Sequence, residues 1–115
     1  MMIDPSELPL SAPDLGQHLW STGFADKKLI LVGADLQTIA DAPKKTRDVS
    51  FHISLGEERY CGTLNTRQPI ETILLLMKTG SSLVVEGRLA KRTVVGQGGE
   101  SYRLITGILK PLSGP

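Results

Sequence analysis

"SSLVVEGRLAKRTVVGQGGESYRLITGIL", residues 81–109, reads as two strands joined by a glycine-rich loop with cations at its mouth. Leu83, Val85 and Leu89 alternate onto one face and share it with Gly87. Glycine at that position lets a strand coil sharply, as closing a small barrel demands. A cationic hairpin of this kind can wrap a nucleic acid strand or simply close a barrel. Its loop carries no aromatic ring.

Moving toward the N-terminus, residues 68–79, QPIETILLLMKT, change period. Pro69 suits the first turn of a helix, where its missing N–H costs nothing. Ile70, Ile73, Leu74 and Met77 follow the i, i+3, i+4, i+7 stripe of a helix packed on a core, and Gly80 closes it. Before it, DVSFHISL alternates: Val49, Phe51, Ile53 and Leu55 face one way and Ser50, His52 and Ser54 the other. Gly56, Glu57 and Glu58 turn the chain into a third strand, RYCGTL, and KKLILVGADL supplies the first. DAPKKTRD, between the first two strands, reads as a polar loop. The order is three strands, one helix, two strands. This predicts an all-β fold, a five-stranded oligonucleotide/oligosaccharide-binding (OB) barrel with its helix between strands 3 and 4. A split α+β sandwich gives the same string.

A chain of 115 residues fits one domain that buries a core without metal or disulfide staples. The single cysteine, Cys61, excludes an internal disulfide and points to a reducing, cytoplasmic setting. No apolar run approaches the ~20 residues of a membrane-spanning helix. Charge divides the chain at about residue 26. Residues 1–26 hold Asp4, Glu7, Asp14 and Asp26 and no Lys or Arg, whereas 27–115 hold thirteen basic against eight acidic residues, a net +5. We therefore expect an acidic arm, 1–26, ahead of a barrel domain, 27–115. Pro5, Pro9 and Pro13 make the opening irregular. Asp14 caps a short helix, DLGQHLWSTGF, that Gly23 ends. Trp20 and Phe24 read as its packing anchors. Four acids also let this arm fold back over a cationic groove.

Residues 79–92, TGSSLVVEGRLAKR, resemble the K-G-S-x-V-x-V-E-G-R-L-x-x-R segment of bacterial single-stranded DNA-binding proteins. LILVGADL and VSFHISL resemble that family's first two strands, and GQGGESYRLITGIL its last hairpin. The spacing from Tyr60 to Gly80 matches as well, so the resemblance covers about residues 28–109. It implies the OB barrel, homo-oligomers (dimers or tetramers) and a role with single-stranded DNA, or RNA, in replication or repair, among other proteins of those processes. The short tailless relatives are the nearest in form: primosomal replication protein N and the single-strand-binding-like proteins of cyanobacteria and plastids.

The departures concern stacking. Tyr60 stands where the family has a stacking Trp, and the resemblance implies an exposed platform there, with Tyr102 as a possible second. Thr66 and Val94 stand where the family has Phe and Trp, so two stacks worth roughly 1–3 kcal/mol each are missing. Electrostatics remain. Arg88, Lys91 and Arg92 on the fourth strand form one candidate phosphate-binding cluster. Lys44, Lys45 and Arg47 form a second in the first loop, and Arg59, Arg67 and Arg103 extend the track.

Spacing supports no Ser–His–Asp arrangement and no metal-ligand cluster, and His52 has no second ligand nearby. Gly96, Gly98 and Gly99 precede a strand and not a helix, which excludes a nucleotide-cradling loop. We expect no enzyme, no cofactor, no metal and no membrane. Two functions stand: a single-strand-binding module, or a barrel that has lost binding and serves as an interaction or assembly subunit. Exposed Tyr60 and Tyr102 rings favour the first, buried ones the second.

Overall fold

The computed structural model describes residues 12–78, 83–94 and 99–112, the side chains of 93, 94 and 99 excepted. Asp4, Glu7, Pro5, Pro9, Gly80, Gly96 and Gly98, invoked above, lie outside the described residues. Five strands follow in order: β1 (Lys28–Ala42), β2 (Thr46–Leu55), β3 (Glu58–Thr66), β4 (Leu83–Val94) and β5 (Gly99–Pro111). Helix α1 (Leu15–Leu19) precedes them, and α2 (Ile70–Lys78) lies between β3 and β4. The strands close in the order β1-β2-β3-β5-β4. This is an OB-fold barrel.

β1 can serve two neighbours because it bends. Its first half pairs with β4 and its second half with β2. The shift falls at Gly33, whose φ of +94° is open to glycine and strained for other residues. The stretch expected as a polar loop is mostly strand: β1 runs through Ala42 and β2 starts at Thr46, which leaves only residues 43–45 to turn. The alternation of β2 places Val49, Phe51 and Ile53 fully inside, while Leu55 is only half-buried. On β4, Leu83, Val85 and Leu89 are buried as their shared face predicts.

Closure depends on a second distortion. Opposite Gly87, β5 inserts two residues, Thr106 and Gly107, where β4 has one. The bulge bends β5 while it stays paired with β4 on both sides, and at the bend its other edge pairs in parallel with β3, at Leu64↔Leu104 and Thr66↔Gly107. A Cβ on Gly107 would overlap the Leu64 side chain. Thr66, buried to 1 % exposure, donates its hydroxyl to the Gly107 carbonyl at 2.7 Å. The residue that stands where the resemblance puts a stacking Phe is thus part of the barrel seam. Gln68 extends that seam, accepting from Leu109 N–H and donating to its carbonyl.

The β3–β5 pairing is short, and α1 fills the wedge beside it. The Asp14 carboxylate accepts from Gln17 N–H as expected of a cap, and Cys61 N–H donates to the Pro13 carbonyl. Gly16 lies so close to the Tyr102 backbone that a Cβ would overlap it. Leu15 and Leu19 enter the same core as Phe51 and Leu64. The helix continues as one wide turn, Trp20–Phe24, and Gly23 (φ +104°) ends it. Residues 14–20 are therefore packed onto the barrel, while 21–24 are exposed; the expected fold-back of the arm also rests on Asp4 and Glu7, which lie outside the described residues.

The stripe expected on α2 is corrected in part. Ile73 is fully buried and Leu76 packs against the core, but Leu74 and Leu75 are 44 % and 65 % exposed. The helix lays only a narrow side on the barrel end.

Candidate nucleic-acid interface

The turn at 43–45, the ends of β2 and β3, and the outer faces of β4 and β5 enclose a groove of about 790 Å³. Five cations line it: Lys44, Arg67, Arg88, Arg92 and Arg103. The one acid among the described residues that line it is Asp48. These side chains come from positions as far apart as 44 and 103, and the barrel order brings them together. β2 and β3 carry Asp48 and Asn65 as cross-strand partners, while β4 and β5 set Ala90 opposite Arg103 and Arg92 opposite Ser101.

Pairing separates the cations into two sets. Arg103 Nη1 donates to Asp48 Oδ2 at 2.8 Å, and Asp48 also accepts from Asn65. Arg88 pairs with Asp26 at 3.4 Å, an exposed contact that is worth little. Lys44, Arg67 and Arg92 form no ion pair among the described residues and are exposed. Three uncompensated charges in one groove repel each other, and an anion relieves that repulsion.

Two of the lining residues are conformationally strained. Lys44 (φ 64°) and the adjacent Lys45 (φ 60°) both occupy the left-handed region, where Gly or Asn is the relaxed choice. Thr106 (φ 53°) does so with a β-branched side chain. Each such residue costs roughly 1–3 kcal/mol. The chain tolerates that cost at two points on the rim of one groove.

The remaining candidates lie elsewhere. Arg59 binds Asp35 at 2.6 Å and Ser54 at the far end of the β2–β3 hairpin. Arg47 donates to the Gln68 carbonyl. Lys45 shares the turn with Lys44 but does not line the groove. Lys91 stands over the Trp20 ring, 5.8 Å from its centroid, and reaches Glu100 at 3.8 Å. The largest correction is Tyr60. The residue is 8 % exposed and its ring stacks on His18, 4.7 Å between centroids, so α1 covers the platform that the resemblance implied. By the ring criterion stated above, Tyr60 counts toward an interaction subunit. Tyr102 is half-buried against Trp20 at 5.2 Å. No aromatic residue lines the groove among the described residues.

Sequence reasoning missed Asp48 and Thr106. Thr106–Gly107 opposite Gly87 was a legible bulge signal, since glycine inside a strand marks one. Asp48 had no signal until the β2–β3 register was known.

Two ionisable groups depart from their ordinary values. Glu86, flanked by Lys110 at 2.8 Å and Lys28 at 3.0 Å, titrates below the usual glutamate range, the hydrogen bond from Lys110 being the main cause and that from Lys28 the next. Burial, then the Asp14 charge, pushes the Cys61 thiol up. No cluster of three or more His, Cys, Asp or Glu among the described residues could hold a metal.

No family model matches this chain, and no curated protein matches it. Among solved structures it is similar to the mitochondrial single-stranded DNA-binding protein Rim1 of S. cerevisiae, with 14 % identity and a TM-score of 0.49, over 77 % of this chain and 98 % of that one. So distant a likeness leaves function to be argued from the groove itself.

Proposed function

We propose that this barrel binds single-stranded nucleic acid, DNA in the first instance, and holds it by its phosphates. One observation carries the reading: five cations, from the β1–β2 turn, the residue after β3, β4 and β5, converge on a groove with a single acid among the described residues. The groove takes in the β1–β2 turn and the adjoining ends of β2 and β3, part of the surface that OB folds use for oligonucleotides. With no ring lining it, counterion release supplies the affinity and sequence preference is weak. The protein is a binder and not an enzyme, and it works in the cytoplasm in DNA replication or repair.

Fluorescence anisotropy of labelled oligo(dT) across a salt series tests this. Log affinity falls against log salt with a slope of about −2 if Lys44, Arg67 and Arg92 are engaged, and about −3.5 if Arg88 and Arg103 join them. No affinity at low salt overturns the reading in favour of an interaction subunit.

The same reading includes self-association. Ile30 and Val32 on β1 are 63 % and 55 % exposed, and the register lays them beside Val84, Glu86 and Ile108. Ile30, Val32, Val84 and Ile108 form an apolar surface that Glu86 and its partners Lys28 and Lys110 interrupt, and an exposed surface of this kind suits a second copy. A homodimer or larger assembly buries it. A monomer at tens of micromolar in sedimentation equilibrium refutes this.

A further inference from the structure

The groove lining carries no aromatic ring among the described residues, yet Trp20 and Tyr102 lie beside Lys91, the chain neighbour of the groove residue Arg92. Arg92 lines the groove, while its neighbour Lys91 belongs to the other side of β4, opposite Tyr102 and over the Trp20 ring. β1 follows β4 only as far as Arg88 in the ladder, with Asp26 and Lys27 bonding Leu89. From Ala90 on, β4 pairs with β5 alone. Arg92 and the Lys91–Trp20 contact thus lie on opposite sides of one strand whose other edge, from Ala90 on, carries no further strand among the described residues.

We propose that Trp20 is the base-stacking platform of this protein, with Lys91 as its removable cover. This rests on the phosphate-binding reading of the groove. The ring is fixed from behind: α1 is wedged between β3 and β5 by Leu15 and Leu19, and Trp20 packs on Tyr102, 5.2 Å away at 40°. A fixed ring loses little entropy when a base stacks on it. Lys91 shows that the position over the ring is within reach of solvent, because its side chain is 46 % exposed. Its one ion pair among the described residues, with Glu100 at 3.8 Å, is long and exposed, and so is easily broken. When a strand arrives, the ammonium exchanges the ring for a phosphate and a base takes its place. The arm thus returns a platform to a barrel whose own candidate, Tyr60, lies under His18.

Trp20 is the chain's only tryptophan, so its emission reports this ring alone. The full chain is titrated at low salt with oligo(dT) and with an abasic strand of equal length. Binding is followed by anisotropy, directly or by competition, and stacking by tryptophan emission. Oligo(dT) quenches the emission in step with binding, and the abasic strand binds with a similar salt slope but without quenching. Trp20→Leu, checked for folding by circular dichroism, weakens oligo(dT) roughly fivefold or more and leaves the abasic strand unchanged. The comparison of the two strands on the unaltered protein needs no variant. Binding without quenching, or equal quenching by both strands, overturns the platform and leaves the groove reading intact. Absence of binding by either strand overturns both.

Discussion

Arg103 and Asp48 join β5 to β2 across the groove through a 2.8 Å hydrogen bond, each side chain about a quarter exposed. The pair has two effects of opposite sign on function. It anchors two strands that are not neighbours in the barrel, and it cancels one of five cations that face the ligand. Asp48→Asn separates the two effects. The variant keeps the shape and a side-chain oxygen for Asn65 but frees the charge of Arg103. We expect tighter oligo(dT) binding at low salt and a salt slope steeper by about 0.7. Stability in urea falls by about 1 kcal/mol, the worth of a partly exposed pair. Weaker binding by a folded D48N protein would mean that Arg103 does not touch the strand.

Charge and packing are separable at two other positions. Arg92→Ala removes an unpaired cation, so the salt slope flattens by about 0.7 and every sequence weakens alike. Urea stability stays within about 0.5 kcal/mol of wild type, as for most surface substitutions. Tyr60→Ala does the reverse. It empties a buried site between His18 and the core and costs about 3 kcal/mol of stability, while the slope of whatever folds is unchanged. A Y60A protein as stable as wild type would show that α1 does not need the ring beneath it.

Glu86 makes stability depend on pH in a defined direction. Its folded carboxyl lies below the ordinary range because Lys110 and then Lys28 donate to it. A depressed acid stabilises the fold at any pH above its unfolded value, and that contribution disappears as pH falls through the folded value. Glu86→Gln is therefore less stable than wild type at pH 7 in urea, and the gap closes well below pH of about 4. A gap that persists in acid would assign the loss to packing.

The sequence carried the barrel because its periodicities are strong. The alternation 49–51–53 and the strand–strand–strand–helix–strand–strand order both survive in the structure, and Gly87 marked the closing bend. Three things were not legible. The polar stretch 41–48 extends two strands because cross-strand pairing outweighs its composition. Leu74 and Met77 fit a helical stripe, yet the barrel end is too narrow to cover all of it. Tyr60 matched a family position, but its exposure depended on α1, which lies outside the family pattern. Of the eleven candidate residues, the groove gathers Arg67, Arg88, Arg92, Arg103 and Lys44. Their convergence depends on the strand order of the barrel and not on any spacing along the chain.

The Cys61 thiol offers a probe of the wedge. Burial and the nearby Asp14 carboxylate hold it above the ordinary thiol range, so the nucleophilic thiolate is scarce at neutral pH. Iodoacetamide should label the folded protein more slowly than the urea-unfolded chain at pH 8, with the folded rate rising only at higher pH. Asp14→Asn keeps a capping side chain but removes the charge, so labelling speeds up modestly with little loss of stability. Labelling equally fast in the folded and unfolded protein would contradict the packing of α1 on β3.

The arm yields the prediction that most changes how binding experiments are read. Leu15 and Leu19 are 1 % and 6 % exposed and share the core with Phe51 and Leu64. Truncating either to Ala creates a cavity beside the short β3–β5 pairing, at a cost of roughly 2–5 kcal/mol. For a domain of this size that is a large share of a total near 5–15 kcal/mol. Deleting residues 1–26 removes both leucines, the Asp14 cap and the backbone bond from Cys61 N–H to Pro13. That truncation should unfold at lower urea and lose oligonucleotide binding with its fold. Asp26→Asn isolates the arm's electrostatic effect instead. Asp26 touches the groove cation Arg88 at 3.4 Å on the exposed surface, so neutralising it should raise oligo(dT) affinity slightly at low salt and not at all at high salt. A 1–26 deletion that stays folded and binds more tightly would reverse this account and make the arm an inhibitor resting on an already complete barrel.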